Sequence, residues 1–268
     1  MQLMALEASE PAGSRATLIV CDGVSLATDS HIASLAAARA ARAVLEQPLP
    51  RGAGTRDAWA AGAARALASA VEVANRAVRD CVPTEVANPP SCTFAAAVVE
   101  DGLVVAGNVG DSRVYWLPDP ADVAARQLGQ DDSYASERML AGVSRAEAES
   151  GPGAHSITRW LGRDAPPDLT PHVTTTAPDV PGWLLVCSDG LWNYRSDAEE
   201  LRDLVRETGA RVGGSPIVLA RALVDFANEC GGRDNITVAL ARLAGRGSSA
   251  QHDGAATSGP EEGNPRHG

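Results

Sequence analysis

Leu18-Ile19-Val20-Cys21-Asp22-Gly23 near the start of the chain and Leu184-Leu185-Val186-Cys187-Ser188-Asp189-Gly190 much later state one pattern twice. Each apolar run lacks alternation, which predicts a strand covered on both faces. Each run delivers an aspartate at its end. A glycine follows, so the backbone can turn sharply and the carbonyl stays uncrowded. A third acid, Asp234 in Gly231-Gly232-Arg233-Asp234-Asn235, stands immediately before another apolar run, Ile236–Leu243. A buried carboxylate without a partner costs several kcal/mol. All 23 basic residues are arginine, so no lysine can serve as that partner. Hard divalent cations held by carboxylate and carbonyl oxygen, Mg or Mn, are the compensating charge that this pattern suggests. Asp-Gly also marks plain turns, and Asp101-Gly102 is read as one. For any single member of the trio a turn reading serves as well; the three together favour a metal site.

Outward from these runs, strand Thr17–Cys21 is followed by helices over Thr28–Glu46 and from Thr55 through Val78. A loop from Val82 to Pro90 leads to a meander: Cys92–Val99, a turn at Asp101-Gly102, Leu103–Asn108, a turn at Gly110-Asp111, and Arg113–Leu117. Residues 118–155 are polar, with one helical piece around Glu137–Ala148. A short helix at Ile157–Leu161 and a strand near Leu169–Thr176 precede the run Trp183–Cys187. Ser196-Asp197-Ala198-Glu199 reads as a capping box opening a helix to about Glu207. A helix over Pro216–Glu229 has proline in its first turn and is stopped by Gly231-Gly232. Asn235–Leu243 is the last strand. From Gly245 onward almost nothing apolar remains, which predicts a disordered tail. This order is no repeating βαβ alternation; it predicts an α+β fold with antiparallel sheet covered by helices.

The chain has 268 residues, 23 basic against 34 acidic, for a net charge of −11. That length fits one generous domain or two small ones. The acidity excludes a nucleic-acid or membrane-surface binder, which needs a basic footprint. The absence of lysine excludes a Walker A loop, a kinase-type ATP lysine and Schiff-base chemistry. Five cysteines, odd in number and never in a C-x-x-C pair, predict a reduced cytoplasmic protein. No signal peptide or membrane-spanning stretch is visible. The histidines make no zinc spacing with one another, and no G-x-S-x-G, H-E-x-x-H or complete G-x-G-x-x-G occurs.

In combination, six segments resemble the protein phosphatase 2C family of metal-dependent Ser/Thr phosphatases in its bacterial form. They are Val20-Cys21-Asp22-Gly23, Ser91-Cys92-Thr93, Asn108-Val109-Gly110-Asp111-Ser112-Arg113, Ile157-Thr158-Arg159-Trp160-Leu161-Gly162, Cys187-Ser188-Asp189-Gly190-Leu191 and Gly232-Arg233-Asp234-Asn235-Ile236-Thr237-Val238. The resemblance implies a four-layered α-β-β-α sandwich, two antiparallel sheets flanked by helices, over residues 1–244, with a tail over 245–268. It implies two Mn or Mg ions held by Asp22, Asp189, Asp234 and the carbonyl of Gly23, and makes Asp131 the candidate ligand of a third. A metal-bridging water, not a side chain, would attack the phosphorus of phosphoserine or phosphothreonine. The implied partners are phosphorylated proteins and the kinases that act on them. Substrate-binding residues are left unassigned. Asp111 and Arg113 are read as hairpin residues.

Two departures are visible. With Met4-Ala5-Leu6-Glu7 placed after the family's Asn-Glu-Asp motif, Met1 and Gln2 stand where its acids should be and its phosphate-binding Arg would fall before Met1; Val24-Ser25-Leu26-Ala27 replaces the usual Met-Gly-Gly-His. They leave an alternative expectation: a catalytically weak or inactive phosphatase-like domain that binds a phosphoprotein or partner.

Overall fold

A computed structural model describes residues 15–25, 27–82, 87–151 and 153–245; the segment aligned at Met4–Glu7 and all of the expected tail beyond Gly245 lie outside them. In chain order the elements are β1 (Ala16–Val20), α1 (Ser30–Leu45), α2 (Arg56–Asp80), β2 (Ser91–Cys92), β3 (Phe94–Glu100), β4 (Leu103–Val109) and β5 (Arg113–Pro118). Then come β6 (Arg126–Gln127), α3 (Tyr134–Leu140), α4 (Arg145–Ser150), β7 (Leu161–Gly162), β8 (His172–Thr176) and β9 (Gly182–Cys187). The last are α5 (Asp189–Trp192), α6 (Ala198–Val212), α7 (Pro216–Glu229) and β10 (Val238–Leu243).

The fold is α+β, and all its strand pairs are antiparallel. One sheet has the order β1-β3-β4-β8, a second β10-β9-β5-β6, and β2 with β7 makes a two-stranded ribbon. Odd and even positions of a strand face opposite sides, and here both sides are covered. Leu18, Val20, Ala95, Ala97, Val104 and Ala106 of the first sheet meet Val114, Trp116, Leu184, Val186 and Ala239 of the second. The other face of the first sheet, through Phe94, Ala96, Val98 and Val105, packs against α1 and α2. The other face of the second, through Tyr115, Leu117, Leu185 and Leu240, packs against α6 and α7. That double cover is why the runs at 18–21 and 184–187 show no polar alternation.

Alanine spacing builds the first helix pair. Ala33, Ala37 and Ala41 of α1 and Ala63, Ala70 and Ala74 of α2 are fully buried, so two small-residue faces meet. Thr55 caps α2, its side chain accepting from the Ala58 amide.

The β3–β4 hairpin turns through Asp101 (φ 45°) and Gly102 (φ 76°); paired positive angles are those of a type I′ turn. The expected third strand of the meander departs from this sheet. β4 is already paired on both edges, by β3 and β8, so β5 has no edge to join and pairs with β9 and β6 instead. Gly110–Ser112 is therefore a crossing between sheets, not a hairpin turn.

Four local readings also change. Ile157–Leu161 is extended, not helical: Ile157 bridges Ser133, and Leu161 begins β7. The single helix around Glu137–Ala148 is two, parted at Gly142 with φ 92°. At the start of α6 the cap is Asp197, which accepts from the Glu199 and Glu200 amides, while Ser196 Oγ donates to Glu149. β8 begins at His172 and β10 at Val238, each three residues after the expected start. Among the described residues no helix is long and apolar enough to cross a membrane.

Candidate metal centre

Asp22 follows β1 and is held by its backbone. Its amide donates to Thr93 Oγ1 at 3.0 Å, its carbonyl accepts from the Thr93 amide at 2.7 Å, and Thr93 Oγ1 lies 2.7 Å from Ser112 Oγ. The hydroxyls of Ser91-Cys92-Thr93 and Gly110-Asp111-Ser112 thus fix the acid at the end of the first buried strand. Gly23 bridges Cys92, and a Cβ there would lie 2.7 Å from Ser30 Oγ, so only glycine lets α1 begin so close.

Asp189 ends β9 and opens α5. Beside it, Ser188 Oγ donates to the Asn235 carbonyl at 2.8 Å and accepts from the Thr237 amide at 3.0 Å; the Ser188 amide donates to the Thr237 carbonyl. This staple lays the 234–237 segment across the start of α5. Any Cβ at Gly190 would run into the Asn235 carbonyl oxygen, so glycine is what permits the approach.

The result is a cluster: one carboxylate oxygen each from Asp22, Asp189 and Asp234 lies within 4.8 Å of the others. Among the described residues this is the one such group of three His, Cys, Asp or Glu side chains. Burial, and then the charges of Asp189 and Asp234, push the Asp22 pKa up to about 8. Asp189 is also raised, by burial first and then by Asp234, against the opposing influence of His155 and of hydrogen bonds from Asn193 and Gly190. Like charges this close repel, and a divalent cation among them would offset that repulsion and favour the ionised acids. The donors are all oxygen, with no imidazole or thiol in the group. That set fits a hard ion such as Mg or Mn and not a zinc site. A cavity of about 540 Å³ opens beside the acids, lined by Asp22, Gly23, Ser30, His31, Asp234 and Asn235 among others.

Asp131 is not brought into this group. It is buried, receives two hydrogen bonds from Arg113 Nε at 3.0 and 2.8 Å, lies 2.6 Å from Arg113 Nη2, and accepts from Gln127 at 2.7 Å. Arg113 is only 2 % exposed. Its guanidinium stacks 3.5 Å over the Trp192 ring and donates to Tyr115 Oη and the Ser196 carbonyl. The pair is a buried strut between the second sheet and its helices. Asp101 sits in its hairpin turn, paired with Arg51.

Reading the sequence missed Asp111. It is 7 % exposed, and burial together with the charges of Asp189, Asp131 and Asp22 raises its pKa well above the usual carboxylate range, so it borders the cluster. The signal was its place in a crossing that resembles a hairpin. Asp132 holds that crossing from below: it accepts from the Gly110 amide at 2.9 Å, from Arg159 at 3.1 Å and contacts His172 at 2.8 Å. Two of the other segments, through Thr93 and through Arg159 by way of Asp132, therefore brace this loop.

Comparison with known proteins shows the family and its fold. The profile of the family described as protein phosphatase 2C matches residues 5–226. Protein phosphatase PhpP of Streptococcus pneumoniae is 31 % identical over 177 residues, 65 % of this chain and 66 % of PhpP. The serine/threonine phosphatase stp of Listeria innocua is 32 % identical over 154 residues, 57 % of each protein. The match thus spans just under two thirds of the first relative and less of the second. Among solved structures, the serine/threonine phosphatase of S. agalactiae superposes with a TM-score of 0.67 at 22 % identity, covering 88 % of this chain and 90 % of that one. The catalytic domain of the serine threonine protein phosphatase PstP in complex with 2 manganese ions gives 0.63 at 24 %, covering 89 % and 93 %.

Proposed function

The chain belongs to the protein phosphatase 2C family, and from that premise we propose that it hydrolyses phosphoserine and phosphothreonine in proteins, with two Mn or Mg ions at the acid cluster. In this reading Asp22, Asp189, Asp234 and the Gly23 carbonyl hold the ions, and the two sheets with their outer helix pairs form the family's four-layered sandwich. The observation that carries the proposal is the convergence of three carboxylates from two sheets within 4.8 Å. When bound, such ions neutralise the phosphoryl oxygens and lower the pKa of water.

The chain's own part is positioning. Thr93 and Ser112 hold Asp22 through its backbone, Ser188 holds Asp234 against Asp189, and Asp111 is a further buried acid beside the cluster. Phosphorylated proteins are the substrates this proposes, and the kinases that phosphorylate them its opponents. The test is release of phosphate from a phosphothreonine peptide by the purified chain with Mn²⁺, and its loss in Asp189→Asn and Asp234→Asn. Wild-type chain that binds Mn²⁺ yet releases no phosphate would replace hydrolysis with the binding-module reading.

A further inference from the structure

We propose that Trp192 is a positioning residue for the acid cluster, its indole setting the spacing between Asp22 and Asp189. The inference rests on the proposed metal site and names what holds its two halves together. Asp189 opens α5, which is only four residues long. So short a helix has little stability of its own and takes its position from what its side chains touch. Trp192 is its last residue, three positions after Asp189, so the two side chains are neighbours on one helix face.

One segment, Asp111–Arg113, grips this buried indole twice. Trp192 Nε1 donates to the Asp111 carbonyl at 2.9 Å. The Arg113 guanidinium lies over the ring, 3.5 Å from its centroid. The first contact holds the edge of the ring and the second its face, so together they fix both its place and its tilt. Arg113 cannot drift, because Asp131, Tyr115 Oη and the Ser196 carbonyl hold its nitrogens.

The gripping segment also holds Asp22. The Asp22 amide donates to Thr93 Oγ1 at 3.0 Å, and that hydroxyl lies 2.7 Å from Ser112 Oγ, in the residue between Asp111 and Arg113. A chain of contacts thus runs from Asp22 through Thr93, Ser112 and Asp111 to Trp192 and, by one helical turn, to Asp189. The Ser188 staple joins Asp189 to Asp234; the Trp192 tie joins Asp189 to Asp22. Carboxylates that approach within 4.8 Å repel one another when ionised, so the surrounding structure has to impose their spacing. Phenylalanine could fill the same apolar space, but tryptophan alone brings an indole N–H to the Asp111 carbonyl.

The experiment compares Trp192→Phe with Trp116→Phe in the full chain. Trp116 is as buried as Trp192, 3 % against 4 % exposed, but it packs between the two sheets. Calorimetry reads Mn²⁺ affinity and circular dichroism the thermal midpoint. We expect Trp192→Phe to lower the affinity about tenfold or more, the scale of lost supporting contacts at metal sites. Trp116→Phe should lower the midpoint and leave the affinity within a few-fold of wild type. The indole N–H resonance of Trp192, assigned by triple-resonance NMR in the wild-type chain, gives a second readout that stands even if Trp192→Phe folds poorly. It should exchange slowly with solvent and shift on adding Mg²⁺, with the midpoint at which calorimetry finds that ion bound. Unchanged affinity in a folded Trp192→Phe, an equal loss in Trp116→Phe, or an indole resonance indifferent to Mg²⁺ would each overturn the inference. A wild-type chain that takes up no ion would remove the acid site and this inference with it, whereas Mn²⁺ uptake without phosphate release would count against the proposed function alone.

Discussion

Asp131 is buried and Asp22 half-buried beside the cavity, and their neighbours give them opposite roles. Asp131 faces a guanidinium and an amide; Asp22 faces two more carboxylates. Asp131→Asn removes the nearer partner of buried Arg113 and leaves it only Glu149, 3.5 Å from Nη2; breaking a buried pair costs up to about 3–5 kcal/mol. It should lower the thermal midpoint clearly while calorimetry finds Mn²⁺ affinity within a few-fold of wild type. A large loss of affinity without loss of stability would return Asp131 to the metal site. Asp189→Asn does the reverse. It relieves repulsion, so the ion-free thermal midpoint should not fall, yet Mn²⁺ affinity should drop about tenfold or more. Asp101→Asn, in a turn where asparagine tolerates the same positive φ, should change neither quantity. The trio was legible because each acid adjoins an apolar run that offers it no partner. Asp111 was not, because nothing local distinguishes a hairpin turn from a crossing when the neighbouring edge is filled by a strand, β8, more than sixty residues later.

At the scale of elements, glycines record where two segments touch, and substitutions there test the contact itself. Gly190→Ala would push the Asn235 carbonyl off the start of α5 and so part Asp234 from Asp189. We expect weaker Mn²⁺ binding by calorimetry, and unchanged binding would show that the staple at Ser188 does not set the acid spacing. Gly62 lies inside α2, where alanine normally stabilises by about 1 kcal/mol. Here a Cβ would collide with the Pro50 carbonyl, so Gly62→Ala should lower the thermal midpoint, and a rise would remove that contact from the account. α7 was read correctly at both ends, Pro216 and Glu229, because its start and stop signals are local. The segment 157–161 was misread because its conformation is set from afar. Arg159 reaches Asp132 and the carbonyls of Asp168 and Thr170, and those partners hold it extended against its helical pattern.

The whole molecule stacks two sheets whose central strands are apolar on both faces, which fixes the α+β class but not which strand joins which sheet. The same stacking brings acids from both sheets together without a neutralising side chain, and this ties global stability to pH and metal. In the ion-free folded protein Asp22 titrates near 8, far above the ordinary carboxylate value of 3.8 that it regains on unfolding. Between those limits the folded state holds a proton that the unfolded state has released, so stability falls as pH rises through that window and levels off above about 8. Asp189 and Asp111, both raised by burial and neighbouring acids, act in the same direction. Mn²⁺ opposes the trend. It competes with the proton at Asp22, so it binds more tightly as pH rises, and at a free concentration of 100 Kd it adds about 2.7 kcal/mol. Urea unfolding at pH 5, 6, 7 and 8 should show a midpoint that declines with pH in EDTA and a gap between EDTA and Mn²⁺ that widens. A midpoint in EDTA that is flat or rising across this range would mean that burial and the neighbouring acids do not raise Asp22.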